Sequence, residues 1–590
     1  MRLRNYFVLL VVLWSFIYLV STGYPPALLD DADSVHAEAA REMVESGDWI
    51  TLHANRIRYL EKAPLMYWAT AVSYKIWGVS EFSSRLPIAL ATLGLIMVTF
   101  LIGRFTYGDR AGFYSGLTIA TCAGIYLFTR ILWPDVILTL FIASAFYCFL
   151  RANQDEIPKP KYVYPIYIFG ALAVLTKGLI GAVFPAAIIG VFLIVTGQVR
   201  RLARFRLFTG ALVFLAIAAP WHLAAGFSNK GFFWFYFINE HFLRYIGKRH
   251  PADYSTVPLW LFLSLHLVWL FPWTLFLPLA MKNLPRKVRS LNRDERLGLF
   301  FVVWLALIII FFSLSTTQEY YTMPAYPAFA LLIGGALARA EEQQAAGKKS
   351  RALGATQIAL AVLGLLVFAG GVTAFLMTRH AAAPSDIADT LNRNPDEYAL
   401  SLGHVLDLTP QSVVALHTPI VGTAIVFLAG TITALVLRRA RRNFAANLAL
   451  AVMMAAFFVC ARLAFTAFEP YLSSKPLAAA IEREYRDGEM IVINGEYESG
   501  SSINFYTRKM VYILNGRSSN LEYGSYFPDA PQIFLTDADI ARLWSGAERI
   551  YLVTDAAERE RLARLLGRPA YRFAESGGKL ILTNQESNEP

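Results

Sequence analysis

The chain has 590 residues; 56% are hydrophobic, 16% are charged and the mean hydropathy is +0.44. Those values exclude an ordinary soluble protein and a disordered one. The net charge of +11 raises nucleic acid as a partner, but the excess sits in short loops between apolar stretches, which argues for a membrane instead.

Taken in chain order, about thirteen apolar stretches run from the N-terminus to about Phe468, where a span needs roughly 20 mostly apolar residues. Leu90–Leu101, Ile166–Leu175, Leu299–Phe312 and Ala359–Met377 anchor four of them. The first, Phe7 to Val20, lacks a small-x-small cleavage site and runs into Tyr24-Pro25-Pro26, so it reads as a retained span rather than a signal peptide. Basic residues fix the orientation. Arg2 and Arg4, Arg104 and Arg110, Arg151 to Lys161, Arg200 to Arg206, Lys282 to Arg296, Arg339 to Arg351 and Arg438 to Arg442 fall on one side, which becomes the cytoplasmic one. The opposite turns hold almost nothing basic except Arg130 and Lys177. Cys122, Cys148 and Cys460 lie in predicted spans, so neither a disulfide framework nor a thiolate metal site is expected.

Residues 23–83 form a long outer loop. Ser34 is placed to cap a helix that runs to Ser46 and stops at Gly47. A second helix is expected from Pro64 to Gly78; it is too short to span, and Trp68, Tyr74 and Trp77 suit a membrane surface. A second outer loop, 226–257, combines Phe232-Phe233-Trp234-Phe235-Tyr236 with His241, Arg244, Lys248 and Arg249. A third, from Thr378 to about Gln411, carries turn signals at Pro384, Asn392 and Pro395.

From Glu469 the composition becomes that of a soluble domain. Met490–Asn494, Met510–Leu514, Ile550–Thr554 and Leu580–Thr583 read as strands, alternating with helical patterns at Leu477–Tyr485, Asp537–Trp544 and Ala556–Leu566. No phosphate loop, zinc spacing or nucleophile elbow appears there, so covering or docking is expected of this domain rather than chemistry. The expected fold is a polytopic α-helical membrane protein over 1–468 with a small extracytoplasmic α/β domain over 469–590.

The residues able to do chemistry gather on the outer face. Asp31 and Asp33 follow the first span, where partial desolvation raises a carboxyl's proton affinity and suits it to act as a base; a solvated helix start is the plainer alternative. Glu61-Lys62 precedes Pro64, so Lys62 is placed to reach a lipid phosphate or to anchor at the surface. Arg130 and Asp135 bracket one turn, as a mutual pair or as substrate contacts, and Lys177 lies between two apolar segments. His241 and Arg244 share a helical face; the guanidinium suits a phosphate, and His241 with Glu61 supplies two ligands toward a metal, with no third in view. Several cations beside a few carboxylates suit group transfer from a lipid-phosphate carrier.

At these residues the chain resembles a known family. Asp31 to Trp68, with Ala37-Glu38-Ala39-Ala40-Arg41-Glu42-Met43, Ser46-Gly47-Asp48-Trp49 and Tyr59-Leu60-Glu61-Lys62-Ala63-Pro64, resembles the aminoarabinose lipid A transferases, which stand with the protein O-mannosyltransferases in the GT-C class of membrane glycosyltransferases. Pro220-Trp221, Asn239-Glu240-His241-Phe242-Leu243-Arg244 and Phe311-Phe312-Ser313-Leu314-Ser315 extend the likeness over nearly the whole chain. It implies about thirteen spans and inverting transfer from an undecaprenyl-phosphate sugar to lipid A, another glycolipid or a protein, at the periplasmic face of the inner membrane. It maps the acidic motif to Asp31-Ala32-Asp33 and the phosphate-binding lysine to Lys62, with Arg244 approaching the phosphate. Tyr59, Arg130, Asp135 and Lys177 join them as substrate contacts. Glu61 and His241 map to a metal pair, zinc by its ligands, with no cofactor required for catalysis. Two departures stand out: Ala32 separates the aspartates, and Thr316-Thr317-Gln318-Glu319-Tyr320 carries Glu319 where a basic residue is usual, placing Glu319 among the residues that set sugar or acceptor. A lipid-linked sugar flippase and a non-catalytic assembly protein are the rival readings; flippases place ionisable groups near the bilayer midplane and repeat internally, whereas these charges cluster at one rim.

Overall fold

Helices dominate residues 3–472, as an apolar chain in lipid requires: without water, each backbone amide must find its partner inside its own helix. A computed structural model describes residues 2–23, 26–251, 257–282, 284, 291–315, 318–348, 350–384, 386–391 and 407–586. The turn signals at Asn392 and Pro395 and the Thr316-Thr317 pair lie outside the described residues.

Among the described residues, nine helices are long and apolar enough to cross a membrane: Leu3–Gly23, Glu81–Tyr107, Asp135–Asn153, Leu207–Ser228, Arg293–Ser313, Glu319–Ala345, Arg351–Thr378, His417–Arg439 and Asn443–Leu472. Leu259–Trp269 and Trp273–Met281, bent by 92° at their junction, make a tenth if taken as one span. Asp109–Thr121, Pro160–Lys177 and Ile180–Val195 pack in the same bundle but are shorter or less apolar. The sequence pattern marks about thirteen stretches because it cannot separate such helices from full spans.

The first outer loop folds onto the bundle. Its helix begins at Ala32, two residues ahead of the Ser34 cap expected from sequence, and ends at Gly47 in the left-handed conformation as expected. Ser34 does not cap, because its hydroxyl pairs with the Ser501 hydroxyl of the C-terminal domain at 2.7 Å. A two-residue hairpin, His53–Ala54 with Ile57–Arg58, leads to the second helix, Leu65–Trp77, closed by Gly78. Asp33 anchors this loop. One of its carboxylate oxygens accepts from Arg85 Nη2 at 2.6 Å and the Leu29 amide at 3.1 Å, and the other from the Leu132 amide at 3.0 Å. Arg85 spends its remaining donors on the carbonyls of Pro26, Ala27 and Arg130.

The C-terminal domain is a six-stranded sheet in the order Phe534–Leu535, Val511–Leu514, Met490–Asn494, Ile550–Asp555, Lys579–Thr583, Tyr571–Ser576. The first four run parallel, and Lys579–Thr583 runs antiparallel to both of its neighbours. The sequence misses the two edge strands, one only two residues long and the other largely solvent-facing, so neither shows the apolar alternation of a buried strand. One sheet face buries Val492, Leu552 and Leu582 against Ile540, Trp544 and Leu562. The other face carries Ile491, Ile493 and Val553 into a cluster continuous with the membrane helices. Asn55 completes the join like a strand partner, donating to the Val511 carbonyl at 2.8 Å and accepting its amide at 2.9 Å.

Arg85 and Asp33 are both nearly inaccessible to solvent, so Arg85→Met leaves a buried carboxylate without its cation. The expected cost is about 3–5 kcal/mol, read as a clear drop in melting temperature of the purified protein in detergent; an unchanged melting temperature would contradict this role for Asp33.

Candidate active site

A cavity of about 800 Å³ opens where the first outer loop, the helix Trp234–Leu243, residues 311–315 and 318–321, and the C-terminal domain converge. Asp31, Tyr59, Glu61, Lys62, Asp135, Lys177, His241 and Arg244, all singled out from sequence, line it. Leu179, Ile180, Val183, Phe311 and Phe312 give it an apolar flank, and Trp133 stacks on Tyr320 at 3.9 Å in its wall.

Three expected site residues lie elsewhere. Asp33 is turned away from the cavity to Arg85 and the Leu132 amide, so its carboxylate is structural. Arg130 does not pair with Asp135; it donates to the Ser21 hydroxyl and lies over the rings of Tyr18 and Tyr126. Glu319 is buried behind the wall, while its neighbours Gln318, Tyr320 and Tyr321 reach the cavity.

Trp234–Leu243 is a π-helix. Its wider turn brings residues 236–237, 240–242 and 244–245 to the cavity and leaves Trp234, Ile238 and Ile246 exposed. His241 and Arg244, expected to share an α-helical face, arrive together by this route. The Asn239 amide bonds the His250 backbone twice, donating to its carbonyl at 2.7 Å and accepting its N–H at 2.9 Å. That bridge delivers Arg249 into the site, where it donates to both Glu61 and Glu240. The His241 ring approaches Gly178 so closely that a Cβ there would lie 1.9 Å from Nε2, and Gly178 has φ +77°, so glycine is required twice over.

The charges are layered. Lys62 Nζ lies 2.8 Å from Glu61, Lys177 Nζ donates to both Asp135 oxygens at 2.6 and 2.7 Å, and Arg244 lies 3.4 Å from Glu240. The side chains of Glu61, Asp135 and Glu240 are at most 2% exposed, whereas Lys62, Lys177 and Arg244 are 24–28% exposed. The carboxylates therefore hold the cations from behind and the cavity surface is positive. Lys177 also sits over Tyr320 and Tyr321, 5.0 and 4.9 Å from the ring centres. Burial pushes the Glu61 carboxyl up, but Lys62, Arg249 and Arg244 outweigh it and hold Glu61 below the usual carboxylate range.

Asp31 stands apart. Its backbone has φ +70°, unusual for a residue with a side chain. Its N–H donates to the Glu498 carbonyl at 2.9 Å and the Ser501 hydroxyl at 3.0 Å. The preceding Asp30 carboxylate accepts from Lys579 Nζ at 2.6 Å, the Ser474 hydroxyl at 2.7 Å and the Ser502 amide at 2.9 Å. The C-terminal domain thus grips residue 30 while Arg85 grips residue 33, and the Asp31 side chain is left facing the cavity. Enclosure pushes its carboxyl up to about 7, against the pull of Lys62. Because the side chain is accessible from the cavity, water there relieves part of that push, and the full effect belongs to a cavity filled by substrate.

Sequence reasoning leaves out Arg249, Glu240, His36 and Asn520. His36 and Tyr67, bonded at 2.7 Å, and Asn520 of the C-terminal domain also line the cavity. The Asn-Glu-His motif pointed to Glu240, and the basic run Lys248-Arg249 to Arg249; nothing local marks Asn520. Glu61 and His241 both face the cavity, but Glu61 is met by Lys62 and Arg249. His241 Nδ1 is bonded to the Tyr236 carbonyl at 2.6 Å, leaving Nε2 as its free ring nitrogen. Among the described residues no group of three or more His, Cys, Asp or Glu is arranged to hold a metal ion.

The family model described as dolichyl-phosphate-mannose-protein mannosyltransferase matches residues 61–223, a stretch that contains Glu61, Lys62, Asp135 and Lys177. Undecaprenyl phosphate-alpha-4-amino-4-deoxy-L-arabinose arabinosyl transferase of Shewanella sediminis is 28% identical over 352 residues, covering 58% of this chain and 62% of that protein. One from Proteus mirabilis is 29% identical over 329 residues, covering 54% and 58%. The chain thus matches about three-fifths of the length of these curated relatives. The crystal structure of ArnT from Cupriavidus metallidurans bound to undecaprenyl phosphate superposes with a TM-score of 0.79 at 23% identity, over 99% of this chain and 98% of that one, and its apo form gives 0.80. In sequence the chain is similar to these aminoarabinose transferases and to the protein mannosyltransferases, and in fold it is a polytopic helical protein with a docked α/β domain, sharing the architecture of the Cupriavidus structure.

Proposed function

We propose that the chain is an inverting glycosyltransferase that moves a sugar from a polyprenyl-phosphate carrier, undecaprenyl phosphate in a bacterium, to an envelope acceptor such as lipid A, another glycolipid or a protein. The observation that carries this reading is the layered charge of the cavity: Lys62, Lys177 and Arg244 exposed over buried carboxylates, in a cavity that Asp31 and an apolar flank also line. A phosphate headgroup matches the cations, and a prenyl chain matches Leu179, Ile180, Val183, Phe311 and Phe312. The name of the Shewanella relative and the undecaprenyl phosphate bound to the Cupriavidus protein support the same carrier.

In this reading Lys62 and Arg244 stabilise the negative charge that gathers on the departing phosphate, in a site where water is displaced and such charges count for more. Asp31, which lines the same cavity, orients the acceptor. A single displacement inverts the anomeric centre. Double displacement would need a second free carboxylate as nucleophile, whereas Glu61, Asp135 and Glu240 are held in ion pairs. The basic loops at the other end of the spans support a cavity that opens to the periplasm.

The Glu61–His241 pair is proposed to work without a resident metal. Cations already occupy both oxygens of Glu61, and a third ligand is missing among the described residues.

Two outcomes are expected. Lys62→Ala and Arg244→Ala each weaken binding of undecaprenyl phosphate to the purified protein about tenfold or more, since a charge-assisted hydrogen bond contributes roughly 1.5–3 kcal/mol; unchanged affinity in both variants would overturn the carrier assignment. Dialysis against EDTA leaves turnover intact, and a loss restored by zinc would refute the metal-free reading.

A further inference from the structure

Part of the cavity lining carries no charge, and it is built from three pieces of the first outer loop. The helix Ala32–Ser46 supplies His36, the helix Leu65–Trp77 supplies Tyr67, and Tyr59 follows the hairpin strand Ile57–Arg58. All three are buried apart from the cavity they line. Their rings interlock: Tyr67 meets His36 edge-to-face at 5.6 Å and Tyr59 edge-to-face at 6.4 Å, while His36 and Tyr59 lie 6.2 Å apart.

Hydrogen bonding gives this wall a direction. The Tyr67 hydroxyl lies 2.7 Å from His36 Nδ1, and the Tyr59 hydroxyl donates toward Tyr67 from the other side. Tyr67 therefore receives the Tyr59 proton and offers its own to Nδ1, which leaves Nε2 as the N–H of the imidazole. Among the described residues Nε2 has no hydrogen-bond partner, and it is not enclosed by protein, so it opens on the cavity. The ring is uncharged, because burial and then the Lys62 cation push His36 down to about 3. Once substrate displaces water from the cavity, this N–H needs an oxygen from the substrate itself.

The phosphate is a poor match for that need. Its charge is met by Lys62, Lys177 and Arg244, and a neutral imidazole adds little to the holding of an anion. A sugar is a good match. Its hydroxyls accept from an N–H, and its C–H faces pack on the Tyr59 and Tyr67 rings.

We propose that His36 Nε2 donates to a hydroxyl of the carrier-linked sugar, and that His36, Tyr59 and Tyr67 form the wall that reads the sugar rather than the phosphate. Tyr67 is a positioning residue: it aims the imidazole and fixes which nitrogen bears the proton. This rests on the glycosyl-transfer reading above and names the part of the donor that these residues recognise.

The test uses the purified full-length protein and carrier lipids extracted from cells lacking the chain, separated into bare undecaprenyl phosphate and its singly glycosylated forms. Wild-type protein is expected to bind one glycosylated form more tightly than the bare carrier. His36→Phe is expected to weaken that form about threefold to tenfold, the contribution of a neutral hydrogen bond, and to leave the bare carrier's affinity unchanged. Tyr67→Phe shifts affinity the same way by less, and His36→Gln, which restores an N–H donor, recovers part of the loss. In turnover assays the same variants raise KM for the glycosylated carrier more than they lower kcat. Equal weakening of bare and glycosylated carrier in both His36→Phe and His36→Gln would place the ring on the phosphate and overturn the proposal. A sugar preference absent from wild type, or unchanged in His36→Phe, would overturn it too. Those results leave glycosyl transfer standing, whereas failure of membranes carrying the chain to consume any glycosylated form would overturn the transfer reading itself.

Discussion

The working geometry depends on one strained turn held from both sides. Residue 31 adopts a left-handed backbone that costs free energy on its own, of order 1 kcal/mol or more. It persists because its neighbours have no freedom: Asp30 is fixed by Lys579, Ser474 and Ser502, and Asp33 by Arg85 and the Leu132 amide. Three aspartates within four residues thus have three fates. Two are spent on position, and the one between them is presented to the cavity.

A similar division of labour organises the cations. Left alone at the edge of a membrane cavity, a lysine would wander or lose its proton, and an arginine would wander while keeping its charge. Here each is seated on a buried carboxylate, and Glu61 and Glu240 share Arg249 as a common strut. The pairing is weak as a source of stability, since desolvating both partners cancels much of the Coulomb gain. Its return is orientation: the positive heads point into the cavity with their stems fixed.

Much of this was legible in the residues themselves. Gly47 and Gly78 end their helices where local rules place them, and Glu61-Lys62 sits next to the helix start, so proximity to the site followed from a short stretch of chain. The choice between Asp31 and Asp33 was not legible, because it is made by Arg85, far along the sequence in a membrane helix. Arg130 misled for a related reason: a cation at a span boundary signals a polar partner, and that partner is a serine hydroxyl flanked by two tyrosine rings rather than substrate. Arg249 was visible only as part of a basic loop until the Asn239 bridge to His250 showed where it is carried. Helix length separates full spans from partial ones, which apolar periodicity alone could not do.

The C-terminal sheet has a further consequence. Its parallel strands are ordered so that the chain reverses direction of growth between Met490–Asn494 and Ile550–Asp555, and open sheets of this kind leave a crevice at the carboxyl ends of the two strands flanking such a reversal. In many proteins that crevice receives a small molecule. Here Lys579, in register with Asp555, and the loop after Asn494 close around Asp30 and Asp31. The sheet has taken a piece of its own polypeptide as its guest, so an architecture built for capture serves instead as a splint, and its vacancy is filled in the act of walling the cavity.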